Sequence, residues 1–342
     1  MKPIKEVVGV IGAGSFGLAI ADLLAENTKV LLYARRQEVI DAINNKTGDY
    51  KDLSPNISGS TDLAYIAKEC TLLFIMIPSA AFRSVVRQLS PYLKPSHFII
   101  HGTKGLDISL LPEGTPVSPK YVRTMSQIIL EETVVTRVGC LSGPNLSSEI
   151  RAKQPAATLI SSRFNEVIKA GQSVLRSQRF LVYGNHDILG VELAGTLKNI
   201  MALSAGILSG QELGKNIWAL LITRGLSEMI HIGIAMGADV KAFLGIAGMG
   251  DLVATASSTQ SRNFQVGYRV AKGETVKEIL DSMNEVAEGI RTLEIVKSII
   301  TTLKISSPIV EVMYRIFFKE MEVETAIKYL MSYPYAIDVD YI

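Results

Sequence analysis

The first apolar run of the chain passes straight into three glycines at a fixed spacing, and that juncture limits the folds open to it. Val7-Val8-Gly9-Val10-Ile11 leads into Gly12-Ala13-Gly14-Ser15-Phe16-Gly17, and a helix-like segment follows from Leu18 to Ala25. The order is strand, tight turn, helix. At such a juncture the first glycine permits the turn and the second lets a pyrophosphate approach the backbone. The third lets helix and strand pack closely. The helix start adds N–H groups and a positive dipole end. A second strand-like run, Lys29 to Tyr33, completes a unit suited to a dinucleotide. Gly12, Gly14 and Gly17 are therefore expected cofactor contacts.

The end of that second run bears on which dinucleotide. An acidic residue there would hold the ribose 2′-hydroxyl of NAD. The chain instead reads Tyr33-Ala34-Arg35-Arg36. Two guanidiniums suit a 2′-phosphate, so NADP(H) is slightly favoured over NAD(H). Two solvated surface charges are the plainer reading of the same pair.

At 342 residues the chain suits two domains rather than one core. Apolar residues make up 48% and charged residues 20%, an ordinary globular balance. A formal net charge of +2 gives no reason to expect nucleic acid or a membrane as partner. Cys70 and Cys140 lie in or beside apolar runs and read as buried free thiols of a reducing compartment. The histidines (His97, His101, His186, His231) are scattered, so no metal site is expected. The N-terminus enters the first strand at once, leaving no room for a signal peptide. No apolar run approaches the ~20 residues of a membrane span. A cytoplasmic protein is expected.

The fold class expected is α/β: a doubly wound N-terminal sheet followed by a mostly α-helical domain. Leu72 to Ile77, His97 to His101 and Arg137 to Leu141 are further strand candidates, each closed by a small or polar loop. Those loops carry Pro78-Ser79, Gly102-Thr103-Lys104-Gly105 and Ser142-Gly143-Pro144-Asn145. In open α/β sheets ligands bind beyond the carboxyl ends of the strands, so chemistry is sought there. Ala157 to Ser161 and Phe180 to Tyr183 supply two more candidate strands. The stretch from Leu111 to Tyr121 holds Pro112, Pro116 and Pro119 and reads as a surface excursion outside the sheet. Glu192 to Leu208, Trp218 to Met236, Val276 to Met283 and Val286 to Ser298 read as helices. The expected division is 1–187, dinucleotide-binding, and 188–342, helical and substrate-binding.

A nicotinamide enzyme without zinc needs another group to handle the alcohol proton. Lys198, followed by Asn199 in an otherwise apolar helix, is one candidate, because an apolar setting lowers a lysine's proton affinity. A lysine snorkelling from a buried helix fits the same pattern. Tyr268 and Lys272 have the Y-x-x-x-K spacing, but Lys272-Gly273 reads as a helix end and the pair as a decoy. Gly245 to Leu252 is a second glycine-rich stretch, in which Asp251 could bond the lysine or a substrate hydroxyl. Arg262 beside Asn263 is a phosphate clamp or, with Ser261 as cap, an ordinary helix start.

Together these segments resemble the soluble bacterial NAD(P)-dependent glycerol-3-phosphate dehydrogenases over nearly the full length. The resemblance is carried by Gly12 to Gly17, Gly102-Thr103-Lys104-Gly105, Ser142 to Asn145 and Val191 to Asn199. Thr223-Arg224-Gly225-Leu226, Gly248 to Leu252, Ser261-Arg262-Asn263 and Val286-Ala287-Glu288-Gly289 extend it. It implies an N-terminal Rossmann domain, a helical C-terminal domain and a homodimer. It implies Lys198 as general acid/base on the C2 oxygen, with Lys104 and Asp251 also catalytic. The substrate contacts implied are Lys104, Gly143, Asn145, Lys198, Asn199, Asp251, Thr255, Ser261, Arg262 and Asn263. Ser15, Phe16, Arg35, Arg36, Lys104, Ser147, Arg262, Val286 and Glu288 join the three glycines on the cofactor. The activity implied is reversible reduction of dihydroxyacetone phosphate, supplying glycerophospholipid synthesis. Phe16 stands where the family often has Trp, and Asn145 where bacterial members often have Ser or Thr. A β-hydroxyacid-type dehydrogenase is the rival enzyme, although that group spaces its lysine and asparagine farther apart. A non-catalytic NADP(H)-sensing module is the rival from another class.

Overall fold

The computed structural model describes residues 7–283, 287–319 and 321–334. The chain divides into two compact units, Met1–Lys104 with Met125–Ile188, and Gly105–Thr124 with Leu189–Ile342. The proline-rich segment thus counts with the second unit rather than with the flanking sheet residues. Its ties explain this: Arg291 stands 3.7 Å from Asp107, and the Thr302 hydroxyl donates to the Val117 carbonyl at 2.9 Å.

The first unit is built on β1 (Val7–Ile11), β2 (Lys29–Tyr33), β3 (Ile57–Ser60), β4 (Leu72–Ile75), β5 (Phe98–His101), β6 (Val138–Ser142), β7 (Ala156–Ser161) and β8 (Phe180–Asn185). They form one sheet in the order β3-β2-β1-β4-β5-β6-β7-β8. All neighbours run parallel except β6 and β7. The helices are α1 (Ser15–Leu24), α2 (Gln37–Asn45), α3 (Leu63–Glu69), α4 (Ser79–Leu89), α5 (Met125–Glu132), α6 (Ser147–Arg151) and α7 (Asn165–Leu175).

Alternation along the strands explains why both faces are covered. Leu72 and Phe74 of β4 enter one apolar cluster, with Leu18, Leu23 and Val167 of α1 and α7. Leu73 and Ile75 enter another, with Ile66, Phe82 and Ile128 of α3, α4 and α5. An unbroken apolar run is what a strand buried on both sides requires. Full burial of each such side chain contributes roughly 1.5–3 kcal/mol. β3 has no such run: it reads Ile57-Ser58-Gly59-Ser60 and sits at the sheet edge.

The register aligns the strand ends. Ile11 pairs with Tyr33 and Ile75, Ile75 with His101, and His101 with Cys140. The loops beginning at Gly12, Ala34, Met76 and Gly102 therefore leave one edge of the sheet side by side. β1 and β4 are where strand order reverses, and the glycine turn lies at that switch point, where open sheets bind ligands.

The second unit holds α8 (Ile188–Gly210), α9 (Lys215–Ala235), α10 (Val240–Leu244), α11 (Asp251–Ser257), α12 (Arg262–Ala271), α13 (Val276–Ser282), α14 (Glu288–Leu303), α15 (Pro308–Phe318) and α16 (Val323–Met331). Against the sequence expectation, α8 and α9 are each long and apolar enough to cross a membrane by length and composition. In α8 that stretch is 89% buried inside the protein, so its apolar character is that of a core element. α8 and α12 touch backbone to backbone: a Cβ on Gly206 would lie 2.0 Å from the Phe264 carbonyl oxygen, and one on Gly267 1.9 Å from that of Leu203. The α15 N-terminus is held from α9, where Glu228 Oε1 accepts from the Ile309 N–H at 2.7 Å. Glu228 Oε2 accepts from the Val310 N–H at 3.2 Å and from the Ser307 hydroxyl.

Candidate active site

In the first unit the three glycines have three different surroundings. Gly12 has φ +118°, and its N–H donates to the Tyr33 carbonyl at 3.0 Å, tying the turn to β2. A Cβ on Gly17 would stand 1.9 Å from the Gly12 carbonyl oxygen, so the helix closes onto the turn only without a side chain. A Cβ on Gly14 would meet nothing within 4 Å. Gly14 is also the N-cap of α1, whose first turn has neither a side-chain cap nor an acidic residue. An open approach to an uncapped helix N-terminus fits a pyrophosphate.

Ser15 and Phe16 are the next two residues, both half-buried. A Cβ on Gly102 would come 2.8 Å from the Phe16 ring, so the ring lies against the loop after β5. Arg35 and Arg36 are exposed beyond β2. Lys104 closes the β5 loop, half-buried, and its Nζ donates to the Gly143 carbonyl at 3.4 Å. Asn145 Nδ2 donates to the Ala157 carbonyl at 3.0 Å, and its Oδ1 accepts from the Thr158 hydroxyl at 2.8 Å. Ser147 is the first residue of α6.

In the second unit Lys198 is 5% exposed on α8. Its Nζ donates to Asp251 Oδ1 at 2.8 Å and to the Thr255 hydroxyl oxygen. Asp251 and Thr255, one turn apart on α11, are 2% and 6% exposed, and the Thr255 hydroxyl reaches Asp251 Oδ1 at 3.2 Å. The lysine therefore does not snorkel; it is held as half of a buried ion pair. Burying two charges is costly unless geometry and added hydrogen bonds compensate, and the Thr255 contact is such a bond.

Asn199 is buried beside Lys198. Ser261 caps α12 by accepting from the Phe264 N–H at 3.3 Å, so its hydroxyl oxygen already serves the helix start. Arg262, half-buried, opens that helix. Asn263 Oδ1 accepts from the Gly289 N–H at 2.9 Å, which ties α12 to the first turn of α14, where Glu288 is the opening residue. Val286 lies outside the described residues.

The structure thus brings Lys198, Asp251 and Thr255 into direct contact, and Lys104 to Gly143. The Tyr268–Lys272 pair is a surface feature: Lys272 Nζ bonds Glu212 at 3.1 Å and lies 5.7 Å from the Tyr268 ring centre. Cys70 and Cys140 are buried, and neither is in a disulfide. Among the described residues no group of three or more His, Cys, Asp or Glu is placed to hold a metal ion. Sequence reasoning missed Thr158, whose hydroxyl engages Asn145; a threonine in a strand carries no signal of such a contact.

A dinucleotide turn at a switch point in one unit and a buried lysine–carboxylate pair in the other are features consistent with a nicotinamide-dependent oxidoreductase, and known proteins agree. Two family models match, the NAD-dependent glycerol-3-phosphate dehydrogenase N-terminus over residues 7–168 and C-terminus over 187–328. The chain is 36% identical to a glycerol-3-phosphate dehydrogenase [NAD(P)+] of Saccharophagus degradans, covering 98% of this chain and 92% of that one. It is also 36% identical to one of Azotobacter vinelandii, covering 99% and 98%. The crystal structure of glycerol-3-phosphate dehydrogenase from Coxiella burnetii superposes with a TM-score of 0.86 at 30% identity, covering 97% of this chain and 100% of that one. The chain belongs to the NAD-dependent glycerol-3-phosphate dehydrogenase family.

Proposed function

We propose that this chain catalyses reversible hydride transfer between NAD(P)H and dihydroxyacetone phosphate, giving sn-glycerol 3-phosphate. The observation that carries the reading is the buried Lys198 ammonium, gripped by Asp251 and Thr255 and adjacent in sequence to Asn199. When bound, the reduced nicotinamide supplies the hydride to C2. Lys198 gives a proton to the C2 oxygen as negative charge builds there, and takes it back in the reverse direction. Asp251 and Thr255 keep the ammonium pointed, so little reorganisation accompanies the transfer. Lys104 adds fixed positive charge at the carbonyl. Gly143, Asn145 and Asn199 line the substrate.

The phosphate goes to Arg262, flanked by Ser261 and Asn263. Its binding energy orients the reacting carbon. Gly14 and the start of α1 take the pyrophosphate, with Gly12, Gly17, Ser15, Phe16, Ser147 and Glu288 around the dinucleotide; Val286 belongs to the same proposal. Arg35 and Arg36 favour NADP(H) through the 2′-phosphate. The product serves glycerophospholipid synthesis in the cytoplasm, and the enzyme acts as a homodimer.

The phosphate assignment is tested by Arg262→Ala. Losing a charge-assisted contact of about 1.5–3 kcal/mol raises the KM for dihydroxyacetone phosphate roughly 10- to 100-fold. An unchanged KM removes Arg262 from the phosphate site.

A further inference from the structure

Thr158 is wholly buried on β7, yet its side chain is polar and reaches the loop that follows β6. Its Oγ1 lies 2.8 Å from Asn145 Oδ1 and 3.2 Å from the Ser142 carbonyl oxygen. A hydroxyl carries one proton, so it serves one of these two acceptors at a time, and the shorter contact is the one to Asn145. The other end of the Asn145 amide donates to Ala157, the residue before Thr158. Two adjacent residues of one strand thus grip both ends of a loop amide.

Inside the span of this clasp sits Gly143, at φ +152°. A Cβ there would come within 3.2 Å of the Ala157 carbonyl oxygen and of Thr158 Cα. The loop is therefore seated directly on β7, and the direction of the Gly143 carbonyl follows from that seating. That carbonyl accepts from Lys104 Nζ. A lysine side chain has four flexible carbons, so the position of its charge depends on its anchors. A residue with Ser or Thr at 145 would have a shorter arm; the asparagine is long enough to span from the loop to Thr158.

We propose that Thr158 is a positioning residue, which through Asn145 and the Gly143 carbonyl sets where the Lys104 ammonium stands. The proposal rests on the reading of Lys104 as fixed charge at the substrate carbonyl. Thr158→Val keeps the shape and removes the donor, leaving Asn145 Oδ1 without it. Displacing a catalytic charge by ~1 Å can cost on the order of 10²-fold in rate. Thr158→Ser keeps the hydroxyl.

The experiment is steady-state kinetics with NADPH and dihydroxyacetone phosphate on the full chain, its Thr158→Val and Thr158→Ser variants, Lys104→Met, and the Thr158→Val/Lys104→Met double variant. NADPH dissociation constants and thermal midpoints are measured beside them. The expected result is a kcat lowered about tenfold or more in Thr158→Val, restored to within about threefold of wild type in Thr158→Ser. NADPH affinity stays unchanged. In the Lys104→Met background the valine adds little further loss, because residues acting through one group are not additive.

A wild-type kcat in Thr158→Val overturns the proposal while leaving the functional reading intact. An equal fold-loss with and without Lys104 also overturns it, by showing a general structural effect. If Thr158→Val does not fold, Thr158→Ala carries the same comparison. A wild-type chain that binds NADPH but does not turn over dihydroxyacetone phosphate overturns the functional reading, and this proposal with it.

Discussion

At the scale of single residues, Lys198 is the proposed proton donor. Its ammonium has a carboxylate at 2.8 Å and a hydroxyl beside it, in a setting that water barely reaches. A group held in this way is suited to the proposed role of giving a proton to a developing alkoxide from a fixed position. Lys198→Ala lowers kcat by roughly 10²–10⁴-fold, the usual worth of general acid–base catalysis, while NADPH affinity holds. Nucleotide titration and initial rates on the same preparation check both halves, and activity near wild type would remove Lys198 from its role. The sequence made Lys198 visible as a charge in an apolar helix, but not its environment. Asp251 is 53 positions away, on another helix, and only tertiary packing brings the two together. Asn145 shows the reverse case: a legible loop residue whose amide is taken up by β7, a contact set by the antiparallel turn-back of the chain.

At the scale of elements, Glu228 ties α9 to the first turn of α15. Burial pushes its carboxyl up to about 7 from an ordinary 4.5, against the opposing pull of the Ser307 hydroxyl and the Ile309 and Val310 N–H groups. The folded group thus holds its proton at a pH where the unfolded chain has released it. Stability is unaffected below about pH 4.5, is lost as pH rises from there to about 7, and is level above, with a total of about 3 kcal/mol at most. Glu228→Gln, which cannot ionise, flattens that slope in thermal midpoints measured from pH 5 to 8. A wild-type slope that survives the substitution contradicts the assignment. Strands with unbroken apolar runs were readable, because burial on both faces demands such runs. β3 was not, since an edge strand needs no apolar run. The contact of α8 with α12 was equally hidden: Gly206 and Gly267 lie far apart in sequence, and neither marks a turn.

At the scale of the molecule, the order β3-β2-β1-β4 places the glycine turn where strand order reverses, and a helical unit carries the lysine pair. The fold class was legible because the first glycine juncture is a fixed-spacing signal and the later change from strand-like to helix-like texture is a periodicity signal. The assignment of 105–124 to the second unit was not, because it depends on ties such as Asp107 to Arg291 that no local pattern announces. The proposed reaction needs a cofactor cradle, a proton donor and a phosphate clamp together. It is tested most directly by initial rates of NADPH and then NADH oxidation with dihydroxyacetone phosphate, repeated with unphosphorylated dihydroxyacetone. The expected result is rapid oxidation with the phosphorylated ketone, faster with NADPH than with NADH, and almost none without the phosphate. A protein that binds NADPH yet oxidises neither cofactor, or that turns over both ketones alike, contradicts it.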